Sequence, residues 1–316
     1  MRPIRLLHDT AAVIVTHRRT DLAQGCAERI LEEIAPSSIV VVVNDPENAP
    51  VAELEWLSAN VGFVVRNKSE RGYGSNMNRG VRCLRGRCRY YLLLNDDVVP
   101  ARGSIAALRL ALERDSSAAV AAPQLVDGNG RHEQLAYRYP TVASELASAL
   151  IAPAPIQDWL WRTFILGNAD GARARSDIWL PGAALLVRSS VFHEVKGFDE
   201  DFFLYSEETD LSFRLREQGW GALPCKEVFA VHLGGTSTTD RRYRRLMGVA
   251  RSTYIRKHWP WGARVVLTAV LALAYAWNSV YMLVRVIVSP RSSQDRLAVW
   301  MSHWDKRPHV APRLGR

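Results

Sequence analysis

Cysteine is scarce in this chain, with Cys26, Cys83, Cys88 and Cys225 the only four in 316 residues. That number excludes a disulfide-stapled scaffold, and the closest pair, spaced C-x4-C with no second pair or histidine beside it, does not make a zinc site. All four are expected to be reduced and buried, as in a cytosolic protein. The 20 glycines and 15 prolines show no collagen-like or low-complexity bias, and there is no internal repeat. With 48% hydrophobic and 23% charged residues, most of the chain is excluded from disorder. The first fourteen residues carry His8 and Asp9 and run straight into an apolar stretch, so no signal peptide is expected. The length suits one large domain with additions, or two domains.

Acidic charge is missing from one end only. Residues 1–235 hold 26 Lys and Arg against 29 Asp and Glu, whereas residues 236–316 hold 15 against 3. The overall charge of +9 therefore belongs to the C-terminal segment. A catalytic-like part that is net negative makes nucleic-acid binding a poor reading of this basicity.

Within the C-terminal segment, Val265 to Val284 is a run of twenty residues without a charge, bracketed by Arg264 and Arg285 and preceded by Trp259 and Trp261. As a helix it would be ~30 Å long, about the thickness of a bilayer core. Arg241, Arg242, Arg244, Arg245, Arg256 and Lys257 before it and Arg291 and Arg296 after it suit anionic headgroups. Thr268, Tyr275, Asn278 and Ser279 fall on one side at helical spacing. Membrane association is expected, either as one span or as a helix lying in the interface; the alternative is a core helix of a soluble protein.

The first 235 residues alternate β-branched runs with amphipathic stretches, the pattern of an α/β sheet wound with helices. Ala11–Thr16, Ile39–Val43, Phe63–Arg66 and Tyr90–Leu94 read as strands, with helices over about 21–34 and 72–84. The strands end in polar clusters at Thr16-His17, Asn44-Asp45 and Asn95-Asp96-Asp97, where open α/β sheets present ligands. Two adjacent aspartates with no obvious basic neighbour suit a hard divalent ion. A helix N-cap near residues 102–104 is the plainer use. Gly72-Tyr73-Gly74 with Asn76, Asn78 and Gly80 turns into a helix whose backbone N–H groups could face a phosphate, or is simply a tight turn; it fits neither G-x-G-x-x-G nor a P-loop.

The densest constellation is Gly197 to Arg214, with six carboxylates between Asp199 and Asp210 interleaved with apolar side chains. A helix from about Ser206 puts Glu207, Glu208 and Asp210 in its first turn, where the dipole favours negative charge. Capping accounts for one of the three, and a carboxylate beside apolar surface can be raised toward a general base. Downstream, a strand over 228–231 ends at His232 beside Gly234 and Gly235, a candidate metal ligand or an ordinary satisfied histidine.

The order of T-H-R-R at 16–19, V-V-N-D at 42–45, G-Y-G-S-N-M-N-R-G at 72–80, L-L-N-D-D-V-V-P at 93–100, W-L-P-G-A-A-L-L-V-R at 179–188, G-F-D-E-D-F-F-L-Y-S-E-E-T-D-L-S-F-R at 197–214 and V-H-L-G-G-T-S at 231–237 resembles the family-2 inverting glycosyltransferases, and within them the rhamnosyltransferase-like group. The resemblance covers about residues 10–260. It implies a GT-A fold, a Rossmann-like mixed sheet wound with helices, with the C-terminal helical membrane-associated segment added.

The same resemblance implies a nucleotide-diphospho-sugar donor and a divalent metal, Mg or Mn. Thr16, Asp45, Gly72, Asn78 and Asp96 would meet the donor, and Asp97 with His232 the metal, Asn95 replacing the first Asp of the D-x-D motif. Glu208 matches the catalytic base, while Trp179, Gly182, Glu207 and Asp210 fall on the acceptor side. Glu70 stands where the family often has Asn.

The expected organisation is a catalytic domain over 1–235, with a nucleotide-sugar half at about 10–130 and an acceptor half at about 131–235. A basic linker or helix follows over 236–262, then an apolar membrane-associated helix over 263–288 and a basic tail over 289–316. The resemblance implies transfer of rhamnose or a similar sugar to a lipid-linked or other cell-envelope polysaccharide acceptor, at the cytoplasmic face of the cell membrane. The alternatives are an inactive membrane scaffold of the same fold or a galactofuranosyl or other hexosyl transferase. No nucleic-acid partner is expected.

Overall fold

The computed structural model describes residues 6–45, 47, 50–84, 88–169, 175–234 and 240–288. In chain order the elements are β1 (Thr10–Thr16), α1 (Thr20–Ile30), β2 (Ile39–Val43), α2 (Val51–Asn60), β3 (Phe63–Arg66), α3 (Tyr73–Leu84), β4 (Tyr90–Asn95), β5 (Val98–Pro100), α4 (Ser104–Arg114) and β6 (Ala118–Val126). They continue as β7 (Tyr137–Arg138), α5 (Val142–Ala149), α6 (Ala154–Phe164), β8 (Ile178–Trp179), β9 (Ala184–Arg188), α7 (Ser189–Glu194), α8 (Glu207–Glu217), β10 (Gly221–His232), α9 (Asp240–His258) and α10 (Trp261–Val288). The chain forms two compact units, Met1–Tyr137 with Gly167–Tyr254, and Arg138–Leu166 with Ile255–Arg316.

In the first unit, eight strands pair in the order β3-β2-β1-β4-β9-β6-β10-β5. Every residue of β1 (TAAVIVT) and β2 (IVVVV) is buried, as apolar runs covered on both faces must be. Ile14, Val41 and Leu92 belong to the core on one side of the sheet, Val13, Val42 and Leu93 to that on the other. β1, β2, β3 and β4 run parallel, while β9 runs antiparallel to both β4 and β6. The chain leaves β1 for β2 on one side and returns as β4 on the other, so a crevice opens where the strand order reverses. Parallel alignment puts Thr16, Asn44 and Asn95 at the same edge of the sheet.

Two of the polar-to-apolar seams depend on glycine. A Cβ at Gly80 would stand 2.3 Å from Val13 Cγ1 and 3.2 Å from Val42 Cγ2, so α3 reaches β1 and β2 only because this side chain is missing. A Cβ at Gly72 would meet the Phe203 and Phe202 carbonyl oxygens at 2.6 and 2.8 Å, and Tyr73 N–H donates to that Phe203 carbonyl at 2.8 Å.

The cysteine expectation is corrected in part. All four are thiols, but only Cys26 is buried. Cys83 lies near the end of α3, Cys88 just ahead of β4 and Cys225 beside a register shift in β10, positions that the sheet does not cover fully.

The second unit joins α5, α6 and α10, with the last turn of α9. Residues 138–166, expected on the acceptor side, belong here. α5 packs on both α6 and α10. Asn278, buried in α10, accepts from Ile151 N–H and donates to the Ala149 carbonyl, both at 2.8 Å. The expected linker contains a 19-residue helix, α9. The basic tail over 289–316 and the Gly235–Ser237 stretch lie outside the described residues.

Gly80→Ala forces a methyl group into buried, β-branched neighbours and should cost about 1–3 kcal/mol. Gly25 lies within α1 with open space where a Cβ would project, so Gly25→Ala should stabilise by about 0.5–1 kcal/mol. Urea denaturation of both variants checks the pair; equal effects would contradict the packing described.

Candidate active site

The register that sets Val15 opposite Asn95 brings the loops after β1 and β4 side by side. Asp96 and Asp97 are buried in that crevice, two adjacent carboxylates that need a counter-charge. Arg19 provides it, one Nη2 donating to Asp96 Oδ1 and Asp97 Oδ2, both at 2.8 Å. Thr16, at the end of β1, donates its hydroxyl to Asp96 Oδ2 at 2.7 Å. Burial raises the Asp96 carboxyl above its ordinary value despite Arg19 and Thr16. At Asp97 burial pushes the same way, but His232 and Arg19 together outweigh it and leave the group below its ordinary range.

His232 reaches this corner through β10. Its backbone pairs with Val98 across the β10–β5 ladder, and Leu233 N–H donates to the Asp97 carbonyl at 2.8 Å. The ring lies between two carboxylates, Nε2 at 3.4 Å from Asp97 Oδ1 and Nδ1 at 2.9 Å from Glu133 Oε1. Asp97 first and Glu133 second raise its pKa to about 10. Asp97 Oδ1 is buried with no hydrogen bond of normal geometry, facing an imidazole nitrogen. An oxygen and, once the ring gives up its proton, a nitrogen so placed would suit a divalent ion, and among the described residues no third Asp, Glu, His or Cys completes a set. Substrate oxygens and water would have to supply the remaining ligands.

The cleft beside these carboxylates is lined by Val15, His17, Arg19, Asn44, Glu70, Arg71, Tyr73, Asn76, Asn95, Asp96, Phe203, Leu204 and Arg242. Asn44 accepts from Arg71 N–H at 2.9 Å and from Asn67 at 2.7 Å, which ties the loop after β2 to the turn before α3. Glu70 pairs with Arg242 of α9 at 2.7 Å. The sequence grouped Arg242 with a membrane flank; in the fold it lines this cleft.

The opposite side of the site is the first turn of α8. Tyr205 and Ser206 both have left-handed backbones, φ 74° and 63°, and together they turn the chain into Glu207. Non-glycine residues hold such angles at a cost of about 1 kcal/mol or more each, and they concentrate at functional sites. Glu208 is half-buried, with its Cβ lying 3.3 Å from where a Cβ on Gly182 would be. Burial raises its carboxyl to about 7. Glu207 is more deeply buried, its Oε2 has no hydrogen-bond partner, and burial followed by the Glu208 charge holds it well above the usual range. Tyr73 joins the two sides, since it lines the cleft and donates its hydroxyl to the Gly182 carbonyl at 2.9 Å. Its phenol is raised by burial first, then by the charges of Glu207, Glu208, Asp97 and Asp96.

Thus Thr16, Asp96, Asp97 and His232 come together, as do Gly182, Glu207 and Glu208. Asp45, next to Asn44 of the cleft, is in an ion pair with Arg18. Gly72 serves the packing of Phe202 and Phe203. Asn78 is turned into the frame: it accepts from Phe198 N–H at 2.9 Å and donates to the Phe198 carbonyl at 2.8 Å, while Asn76 lines the cleft. Trp179 stacks on Tyr137 with ring centroids 4.8 Å apart. Asp210 is fully buried and paired with Arg214 at 2.7 Å, a structural tie within α8.

Sequence reasoning did not single out Arg19, Glu133 or Arg242. The two buried aspartates were themselves a signal that a cation must be near, and the T-H-R-R segment held it. Glu133 had no local signal, being 99 residues from His232. Glu133→Gln should lower the His232 titration midpoint from about 10, because one of the two carboxylates that favour the charged ring is lost. NMR of the ring protons measures this directly, and an unmoved midpoint would remove Glu133 from the site.

Residues 8–250 match the model of the glycosyltransferase-like family 2. Two curated relatives, from the CDC 1551 / Oshkosh and H37Rv strains of Mycobacterium tuberculosis, are N-acetylglucosaminyl-diphospho-decaprenol L-rhamnosyltransferases, 30% identical over 193 residues. The match takes in 58% of this chain and spans only 62% of those relatives' length. Among solved structures, the Pyrobaculum calidifontis mannosyltransferase PcManGT, bound to GDP-Man and Mn2+, superposes with a TM-score of 0.56 at 13% identity, over 95% of this chain and 83% of its own. GalNAc-T7 with UDP, GalNAc and Mn2+ gives 0.51 at 15% identity, over 76% and 47%. These likenesses establish the GT-A fold for the eight-stranded mixed sheet. With more than three quarters of its residues matched by one family model and its sheet matched by that fold, the chain belongs to glycosyltransferase-like family 2.

Proposed function

We propose that the protein is a metal-dependent, inverting glycosyltransferase that moves rhamnose or a similar sugar from a nucleoside-diphospho-sugar to a lipid-linked glycan at the cytoplasmic face of a membrane. The observation that carries the reading is that Tyr73 links the cleft beside Asp96 to Gly182, which lies against Glu208, so that two kinds of carboxylate belong to one site. Asp97 is held ionised by His232 and Arg19 on one side, and Glu208 is raised to about 7 by burial on the other. The first would hold a divalent ion against a diphosphate, and the second suits a proton acceptor near neutral pH. The rhamnosyl donor and the lipid-diphosphate acceptor are those of the M. tuberculosis relatives' activity.

The nucleoside end of the donor fits the crevice between the loops after β1, β2 and β4, with Asn44, Arg71 and Asn76 as hydrogen-bonding groups. Asp97 and His232 would hold the divalent ion, which when bound supplies positive charge for the departing diphosphate. Glu208, at the start of α8, accepts the proton of the acceptor hydroxyl as that oxygen attacks the anomeric carbon. One in-line displacement inverts the configuration there. Burial first, and the neighbouring Glu208 charge second, favour the neutral form of Glu207.

Glu208→Gln keeps size and hydrogen bonding but removes the acceptor of the proton. Turnover should fall by roughly 10²-fold or more while nucleotide-sugar binding persists. In the unaltered enzyme the rate should rise with pH through about 7, since only the ionised carboxyl takes up a proton. A rate that is flat across that value, or unaffected by the substitution, would dismiss Glu208 as the base. Asp97→Ala should abolish the metal-dependent part of nucleotide binding. Calorimetric titration with and without chelator tests it, and equal affinities in both would remove the metal from Asp97.

A further inference from the structure

α10 presents an exposed apolar arc, a buried flank and a far side that carries three polar but uncharged residues. At ~100° per residue, Val266, Leu273, Trp277, Val280 and Val284 form one stripe within about 40° of a common line. These five, each between 51% and 71% exposed, are the centre of an outward apolar arc that Val265 and Leu283 widen on the side away from the buried flank. About a third of a turn away, Leu267, Ala274, Asn278 and Met282 are buried along the flank. Thr268, Tyr275 and Ser279 are exposed on the far side from the stripe.

The buried flank is bound to irregular backbone. Asn278 on that flank accepts from Ile151 N–H and donates to the carbonyl of Ala149, the last residue of α5, while Trp277 beside it, on the stripe, donates to the Ile151 carbonyl. Asn278 lies six residues, ~9 Å, inside the Val284 end of the apolar window. A crossing helix would therefore carry the non-helical residues 150–153 and the start of α6 into hydrocarbon. Lipid-exposed irregular backbone is not tolerated there. α6 itself carries Asp158 and Arg162, both needing water. Its Ile156 and Trp159 are exposed, three residues apart on one side of the helix.

We infer that α10 lies flat in the headgroup region of an anionic lipid surface, embedded along the Val266–Val284 stripe, with α5 held against its flank and α6 packed on α5 instead of being drawn through a bilayer. Charge selects the occupant. The 15 basic against 3 acidic residues of 236–316, with Arg256 and Lys257 exposed just ahead of α10, favour anionic headgroups over a protein partner of unspecified sign. This deepens the membrane part of the proposed function and rests on it.

The test uses the full-length protein with a C-terminal tag, floated with vesicles of phosphatidylcholine alone or with added phosphatidylglycerol. Wild type should float with the anionic vesicles, about tenfold more than with neutral ones. Leu273→Lys and Val280→Lys, on the stripe, should reduce flotation about tenfold, and Thr268→Lys and Ser279→Lys, on the far side, less than twofold. In sealed membrane vesicles from expressing cells, with the nucleotide-binding unit outward, protease should remove the tag without detergent. A protected tag, or four lysine variants equally impaired, means that the helix crosses and overturns the proposal. Absence of wild-type flotation on either vesicle also overturns it. Nucleotide-sugar binding measured on the same preparations separates the two readings: lost binding with intact flotation counts against the transferase alone, and the reverse against the lipid surface alone.

Discussion

Two aspartates side by side in a buried crevice would repel each other and resist desolvation, and this end of the sheet is arranged around that problem. Arg19 answers it by placing one guanidinium nitrogen on both Asp96 and Asp97. The solution is available only because β1 and β4 are parallel neighbours, so that the loop after one strand lies beside the loop after the other. Thr16 takes up a further oxygen of Asp96, and His232 approaches the remaining oxygen of Asp97 along β10. The same crossing of strands that opens the crevice thus also carries the groups that make its charge tolerable. A buried ion pair of this kind adds little net stability, which is consistent with its being kept for what binds there.

The second half of the site is held by backbone constraint more than by charge. Tyr205 and Ser206 accept left-handed angles, and Gly72 lets the preceding Phe202–Phe203 segment lie against the start of α3. The result is an α8 whose first turn points Glu207 and Glu208 inward, one fully desolvated and one still reached by solvent. Adjacent residues of one type therefore differ in their exposure to solvent. Asp210, a turn later, is neutralised by Arg214 and belongs to the helix itself.

The unit built from α5, α6 and α10 follows a different economy. Its core is narrow, and most of the long helix faces outward. What fixes α10 is a small number of directional contacts, with Asn278 clamping the chain between α5 and α6. An asparagine in an apolar run reads in sequence as a defect in a span, whereas in the fold it is the attachment point.

Local chemistry was enough to read the strands, the helices that follow them, the acidic turn at 199–210 and the apolar run at 265–284. Those features depend on residues near in sequence: β-branched runs form buried strands, and strand ends carry polar groups. Family membership was legible too, because spacing within motifs survives where overall identity does not. What the sequence could not supply is pairing across distance. Arg19 meets Asp97 over 78 residues and Glu133 meets His232 over 99, and no period or cap marks either. The turning of Asn78 into the frame, the pairing of Asp210 within its helix and the recruitment of Arg242 to the cleft were likewise decided by packing. The residue types were set by the chain alone, but which of them face a ligand was set by the sheet order, because only the assembled sheet brings together strand ends that lie far apart along the backbone.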